Sequence, residues 1–371
     1  MKTAIAKSSA GKATVAPDGS LPMTELSTPA LVVDLDVFEA NIAAMAVLLA
    51  GTGKTIRPHV KTHRTPELAR RQLGGQAVGV TCATVGEAEA MVGAGIDDVF
   101  VANEVVDPRK IARLVGLAAR ARIAVAVDDP EPVASLSAEA VRAGATIDVL
   151  IDVDIHLHRC GVASAPDAVR LARAIERAPG LRLRGIMGYE GRIRLRDDDR
   201  AGSIVRAYAT LSEVRRALIE AGFPVEVVSA AGTATVREAL ADPWITEVQC
   251  GVYALMEPEM LDLGLPFRCA VAIRGTVISR HPGRIVLDVG RRVVGVEYGP
   301  PVPIGFAATR IAISDEHATI ERADPLPALG SEVDLAPGQI RTTFNLHDHV
   351  WVSRGPTLVG RWPITARGSS Q

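Results

Sequence analysis

Residues 57–64 read Arg57-Pro58-His59-Val60-Lys61-Thr62-His63-Arg64, so a lysine stands among four basic or ionisable neighbours. The stretch closes an apolar run and precedes a helix-like segment, which puts Lys61 at the mouth of an expected strand. Nearby positive charge lowers the pKa of an amine, and only the neutral amine attacks a carbonyl. Lys61 is therefore a candidate Schiff-base lysine. A solvated basic loop would read the same way from these eight residues, and the rest of the chain has to decide.

From residue 31 to about residue 253 a short β-branched run alternates with a helical segment rich in Ala, Leu, Glu and Arg. Strands are expected at 31–36, 55–61, 77–84, 98–103, 123–128, 146–154, 183–190, 225–232 and 246–253. Such alternation implies parallel βαβ units, and about eight of them imply a closed (β/α)8 barrel of the α/β class. No GxGxxG follows the first strand, which weakens the dinucleotide-binding alternative. Beyond about residue 263 short strand-like runs are separated by Gly and Pro, as in a second, all-β domain. The expected division is a flexible tail over 1–26, a barrel over 27–262 and a C-terminal β-domain over 263–371.

Composition narrows the function. The 371 residues are 48% hydrophobic with a net charge of −2, which fits a large packed core and argues against a nucleic-acid partner. No apolar run approaches the roughly 20 residues that span a bilayer, so no membrane partner is expected. The first 26 residues have no continuous apolar core like that of a secretory signal. Cys82, Cys160, Cys250 and Cys269 form no CxxC pair, so reduced thiols and a cytoplasmic enzyme are expected.

In a parallel barrel catalytic groups gather where strands end. Those ends carry Lys61, Thr84, Asn103, then Asp154, His156 and Arg159, then Tyr189 and Glu190. The next end is Ser229-Ala230-Ala231-Gly232-Thr233-Ala234-Thr235, and the last run holds Cys250-Gly251-Val252-Tyr253. Small residues and bare amides at a strand-to-helix turn suit a phosphate, although tight packing alone would also use them. A reactive lysine and a phosphate cradle in one barrel point to pyridoxal 5′-phosphate.

The same residues carry a resemblance. The chain resembles the D-threonine aldolase and D-serine dehydratase family, fold-type III pyridoxal-phosphate enzymes with an alanine racemase-like barrel. The similarity runs from Thr28-Pro29-Ala30 to Trp362-Pro363. It is carried by Arg57–Arg64, Thr81–Glu89, Ala102–Val105, Arg159–Val162, Gly188–Gly191, Ser229–Thr235, Glu247–Tyr253, Ser314–His317 and Phe344–Asp348. The resemblance implies that Lys61 holds the cofactor covalently, with Arg159 near its ring or phenolic oxygen and Tyr189 beside it. It places the phosphate on Gly232, Thr233 and Tyr253, with Ser229 also among the cofactor-binding residues. His59 is the expected base for a substrate β-hydroxyl, projecting to the same side of a pleated strand as Lys61; His63 is expected to be structural. The substrate implied is a D-configured β-hydroxy-α-amino acid, cleaved to glycine and an aldehyde. Dehydration to a 2-oxo acid and ammonia, racemisation with Tyr298 or a histidine from a partner subunit's β-domain on the second face, and a cofactor carrier without catalysis are the alternatives. A homodimer is implied as well.

One departure stands out. Such enzymes usually hold a divalent metal in the β-domain through a histidine and, two positions later, an aspartate or cysteine. Here those positions are Gln339 and Arg341. Arginine has no lone pair to offer and glutamine is a poor lone ligand, so a metal-independent member is expected. Arg341, with Gln339, becomes a candidate substrate-binding group that grips a carboxylate, or else Arg341 pairs with Asp315 or Glu316. A metal relocated to His347 and His349, alternate residues on one strand, is the remaining alternative.

Overall fold

The run Ile147–Asp152 is buried at every position, which a parallel sheet covered on both faces allows. The computed structural model describes residues 21–371 apart from positions 75, 192, 194–196 and 323–324. Two short strands come first, β1 (Leu21–Pro22) and β2 (Ala30–Asp34). Eight parallel strands follow: β3 (Thr55–Ile56), β4 (Val80–Cys82), β5 (Asp98–Glu104), β6 (Arg122–Val127), β7 (Ile147–Asp152), β8 (Leu181–Met187), β9 (Val227–Ala230) and β10 (Glu247–Val248). Their order is β3-β10-β9-β8-β7-β6-β5-β4. Bridges between Ile56 and Ala77 and between His59 and Thr81 join the two end strands, so the sheet closes into the expected barrel.

Around the barrel run α1 (Leu35–Leu49), α2 (Pro66–Leu73), α3 (Val85–Gly93), α4 (Pro108–Gly116), α5 (Pro130–Ala143), α6 (Ala165–Glu176), α7 (Arg200–Glu220) and α8 (Val236–Ala241). Their starts are legible in the sequence. Thr84, Asp107, Asp129 and Ser164 each cap a helix through the side chain, three of them with a proline in the first turn.

At the amino ends of the strands the barrel is closed by ions. Asp148, nearly inaccessible, accepts from Arg122 at 2.8 Å, Arg182 at 2.7 Å and Arg184 at 3.0 Å. Arg57 pairs there with Asp98 and Glu247, so its charge serves the barrel floor. A carboxylate buried this deep is tolerated because several donors surround it.

The second sheet contains β11 (Val271–His281), β12 (Arg284–Leu287), β13 (Val302–Pro303), β14 (Arg310–Ile313), β15 (Ala318–Glu321), β16 (Glu332–Ala336), β17 (His349–Arg354) and β18 (Thr357–Pro363). One helix interrupts it, α9 (Ile340–Leu346). Two expectations need correction. The first strand expected for the barrel belongs to this second sheet: β2 lies parallel to β17 and antiparallel to β11. The run also stops earlier, because the Asp34 side chain caps α1. Its apolar side chains would serve either sheet, and periodicity carries no information about which one. Residues 21–26, expected in the flexible tail, are instead ordered against the β-domain. Leu21 pairs with Leu358 in β18 and Leu26 is buried, while residues 1–20 lie outside the described residues.

Candidate active site

A cavity of about 600 Å³ opens where the barrel strands end, beneath two side chains of the β-domain, Tyr298 and Arg341. Lys61 and His59 line one wall, Tyr189 and Glu190 another, and residues 230–235 a third. Its size suits a small organic cofactor together with a substrate.

Lys61 does not lie on a strand. β3 ends at Ile56 and the lysine sits in a 3-10 turn, Val60–Thr62. The alternation that placed His59 and Lys61 on one side of a pleat therefore does not apply, yet the turn delivers both to the cavity. Gly251 makes this possible. A Cβ there would stand 2.4 Å from Thr62 Oγ1 and 2.6 Å from the His59 carbonyl. Burial, then the guanidinium groups of Arg341 and Arg159, bring the Lys61 amine down to about 8, with Glu87 opposing. The Lys61 ammonium stands 5.3 Å from the Tyr189 ring centroid, and the Arg159 guanidinium 6.0 Å from it. Burial pushes the Tyr189 phenol up to about 12, so it stays protonated.

His59 is buried and uncharged at neutral pH. Burial first and Lys61 second hold it well below the ordinary imidazole range. Its Nδ1 is enclosed and makes no hydrogen bond of normal geometry. His63 is structural, as expected: its Nε2 meets Gln72 at 3.0 Å and its Nδ1 accepts from the Thr65 amide at 3.1 Å.

In the small-residue turn the Gly232 amide donates to Glu190 Oε1 at 3.1 Å, and the Thr235 hydroxyl donates to the same oxygen. The Thr233 hydroxyl accepts from the Tyr253 amide at 3.0 Å. The amides of Thr233 and Ala234 have no acceptor among the described residues. Ala231 adopts φ 70°, a left-handed geometry that turns the chain at the cavity wall.

Three expected ligands do not line the cavity. The Ser229 hydroxyl is buried in the barrel and donates to Glu247 Oε1 at 2.6 Å. The Tyr253 hydroxyl accepts from Gln72 at 3.2 Å, with its ring against Phe267. The Gln339 side chain caps α9, accepting from Thr342. In each case a polar group close to the site in sequence is claimed by a local partner. His347 Nε2 donates to the Val293 carbonyl at 2.8 Å, and His349 meets Arg361 at 2.9 Å; neither lines the cavity.

Arg341 does reach the cavity. Its guanidinium lies 5.4 Å from the Tyr298 ring centroid and 3.8 Å from Glu257 Oε1. The acid beside it is thus Glu257, not Asp315 or Glu316, and Glu316 pairs with Arg292 at 2.7 Å. Glu257 is inaccessible, and its Oε2 has no partner among the described residues.

Sequence reasoning gave no role to several acids around the cavity, some of them buried. Glu87 accepts from the Ala83 amide at 2.7 Å and from Arg64 at 3.1 Å, directly behind the Lys61 turn. Near Arg159, ligand-type atoms of Glu104, Asp128 and Cys160 lie within 4.8 Å of one another. Burial and then Glu104 push neighbouring Asp152 up to about 8. Glu87 within Thr81–Glu89, Glu104 within Ala102–Val105 and Cys160 within Arg159–Val162 lie in segments that carry the resemblance, and position alone gave none of them a role.

Comparison with known proteins now bears on the geometry. The family model described as the alanine racemase N-terminal domain matches residues 33–258, and that of a putative serine dehydratase domain matches residues 270–353. The chain belongs to the D-threonine aldolase and D-serine dehydratase family. A D-threonine aldolase from Arthrobacter sp is 36% identical over 361 residues, covering 94% of this chain and 95% of that protein. A 3-hydroxy-D-aspartate aldolase from Paracoccus denitrificans (strain Pd 1222) is 34% identical, covering 93% of each. The crystal structure of D-threonine aldolase from Filomicrobium marinum matches with a TM-score of 0.91 at 38% identity, covering 95% of this chain and 99% of that one. The family is one of pyridoxal phosphate-dependent lyases, and its barrel with a C-terminal β-domain is the architecture found here. Among the described residues no helix is long and apolar enough to cross a membrane.

Proposed function

We propose that this chain is a pyridoxal 5′-phosphate-dependent lyase that splits D-configured β-hydroxy-α-amino acids into glycine and an aldehyde. The observation that carries the reading is the pairing of Lys61, a buried amine held near 8, with a neutral His59 on the same cavity wall. The residues present fit the cofactor. Lys61 would bond its aldehyde, Tyr189 would lie along it, and Gly232, Thr233 and Ala234 would face its phosphate with no Cβ at Gly232 to crowd it. When bound, pyridoxal phosphate supplies an electron sink for the pair left on Cα.

The chain's own part follows from charge and protonation. Arg159 and Arg341 keep the cavity positive, which favours the substrate carboxylate. The imidazole of His59 takes the β-hydroxyl proton. The Cα–Cβ bond then breaks, the β-carbon becomes the aldehyde carbonyl, and a proton returned to Cα completes glycine. Arg341 is placed to receive a second carboxylate on the substrate side chain by a bidentate contact. We include a homodimer in the same proposal, to be tested by sedimentation equilibrium.

The deciding experiment is proton NMR of the cofactor-loaded protein in D₂O with D-threonine, D-β-hydroxyaspartate, D-phenylserine and D-serine, with and without EDTA. Glycine plus aldehyde, undiminished by EDTA, is the expected result. A 2-oxo acid with ammonia would make the enzyme a dehydratase instead. Exchange at Cα with the second enantiomer appearing would replace the lyase by a racemase, and EDTA-sensitive turnover would restore a metal.

A further inference from the structure

Glu190 is buried to 3% exposure in the cavity wall, and its two oxygens are treated unequally. Oε1 receives both the Gly232 amide, at 3.1 Å, and the Thr235 hydroxyl. Oε2 is enclosed and has no hydrogen-bond partner among the described residues. A carboxylate anion spreads its charge over both oxygens, and leaving one bare in a dry environment is costly. A carboxylic acid suits the arrangement better: its carbonyl oxygen takes both donors, and its hydroxyl is the bare oxygen at the smaller cost of a neutral group.

We propose that Glu190 is a positioning residue held as the neutral acid, which ties Gly232 and Thr235 into the shape of the anion cradle and releases that grip when it ionises. This rests on the reading of the cavity as a site for a phosphate-bearing cofactor. The groups packed against Glu190 support it. Tyr189 beside it, Tyr208 from α7 and Cys250 after β10 are all uncharged at neutral pH, their own ionisation hindered first of all by burial. Arg200 of α7 is committed to Glu238 of α8, at 2.5 Å, and to the Ala234 carbonyl, at 2.6 Å. Burial is the largest influence on the Glu190 carboxyl and raises it above the usual carboxylate range, outweighing the Thr235 hydroxyl, its own amide and those of Gly232 and Ala231, which all favour the anion. A phosphate dianion arriving beside the same amides would be repelled by a carboxylate and accepted by a carboxylic acid.

The test uses pyridoxine 5′-phosphate, which has no aldehyde and so cannot react with Lys61. Its binding to the apoprotein is followed by calorimetry from pH 6.5 to 9.5, in the wild type and in Glu190→Gln, an isostere of the neutral acid. Lys61 titrates in both proteins, so the ratio of their dissociation constants isolates Glu190. The ratio should be near one at the acid end of the range and should then change with pH, the wild type becoming the weaker binder as Glu190 ionises. A constant ratio across the range overturns the proposal, whether at unity or with Glu190→Gln uniformly tighter, as a permanently charged Glu190 would give. No binding by either protein at any pH would instead sink the cofactor reading and this proposal with it. Unphosphorylated pyridoxine is the control: a pH-dependent ratio with it too would locate the effect away from the phosphate and also overturn the proposal.

Discussion

The Lys61 ammonium and the Arg159 guanidinium address the same ring, that of Tyr189, at 5.3 and 6.0 Å from its centroid. The two cations thus share one aromatic platform, and the Arg159 guanidinium disfavours the charge on Lys61. Lys61 is the one that can yield, because its amine can lose a proton near neutral pH and a guanidinium cannot.

The neutral amine is the reactive form, so Schiff-base formation should accelerate as pH rises and level off above about 8. Arg341→Met removes a cation that holds the amine down, which should move that inflexion to higher pH. Lys61→Ala should abolish the borohydride-reducible yellow chromophore altogether. Stopped-flow absorbance after mixing apoprotein with cofactor reads all three, and an unshifted Arg341→Met profile would contradict the electrostatic assignment.

His59→Gln keeps a polar side chain of similar reach but removes the base. It should lower kcat by roughly 10²–10⁴-fold, the usual contribution of a general base. The Lys61 chromophore should persist in the variant. Retained kcat would move the proton transfer to another group.

Arg341→Met should discriminate between substrates. Losing a charged hydrogen bond to a side-chain carboxylate costs roughly 1.5–3 kcal/mol, about 10- to 150-fold in kcat/KM. That loss should fall on D-β-hydroxyaspartate over and above the smaller loss that both substrates share when the field on Lys61 and the α-carboxylate weakens. Equal losses on both substrates would mean that the arginine serves Glu257 alone, its neighbour at 3.8 Å.

Gly251→Ala should damage both the site and the fold. The added methyl would press on the His59 carbonyl at 2.6 Å, and a backbone carbonyl cannot swing away as a side chain does. The expected loss is about 1–3 kcal/mol by chemical denaturation. Cofactor binding should weaken too, because the Lys61 turn must shift. A variant with unchanged stability and unchanged binding would show that the turn is more adaptable than its packing implies.

What the sequence alone determined is the set of features written in local pattern. Alternating strands and helices gave the barrel, capping residues such as Thr84 and Asp129 marked helix starts, and Lys61 stood out by its basic neighbours. Local chemistry likewise set apart Gln339 and Arg341, whose types differ from the metal-holding pair that the resemblance implies. The tertiary structure decided everything that depends on which surfaces meet. It sent β2 to the second sheet, because an apolar strand satisfies either partner equally. It drew Ser229, Tyr253 and Gln339 away from the cavity, because each found a partner, Glu247, Gln72 or Thr342, that spacing along the chain does not reveal. It also brought Arg341 from the β-domain into the field of Lys61, 280 positions earlier in the chain. Periodicity and residue type are local properties, whereas burial, and the charge state it imposes on Lys61, His59 and Glu190, exists only once distant segments have packed.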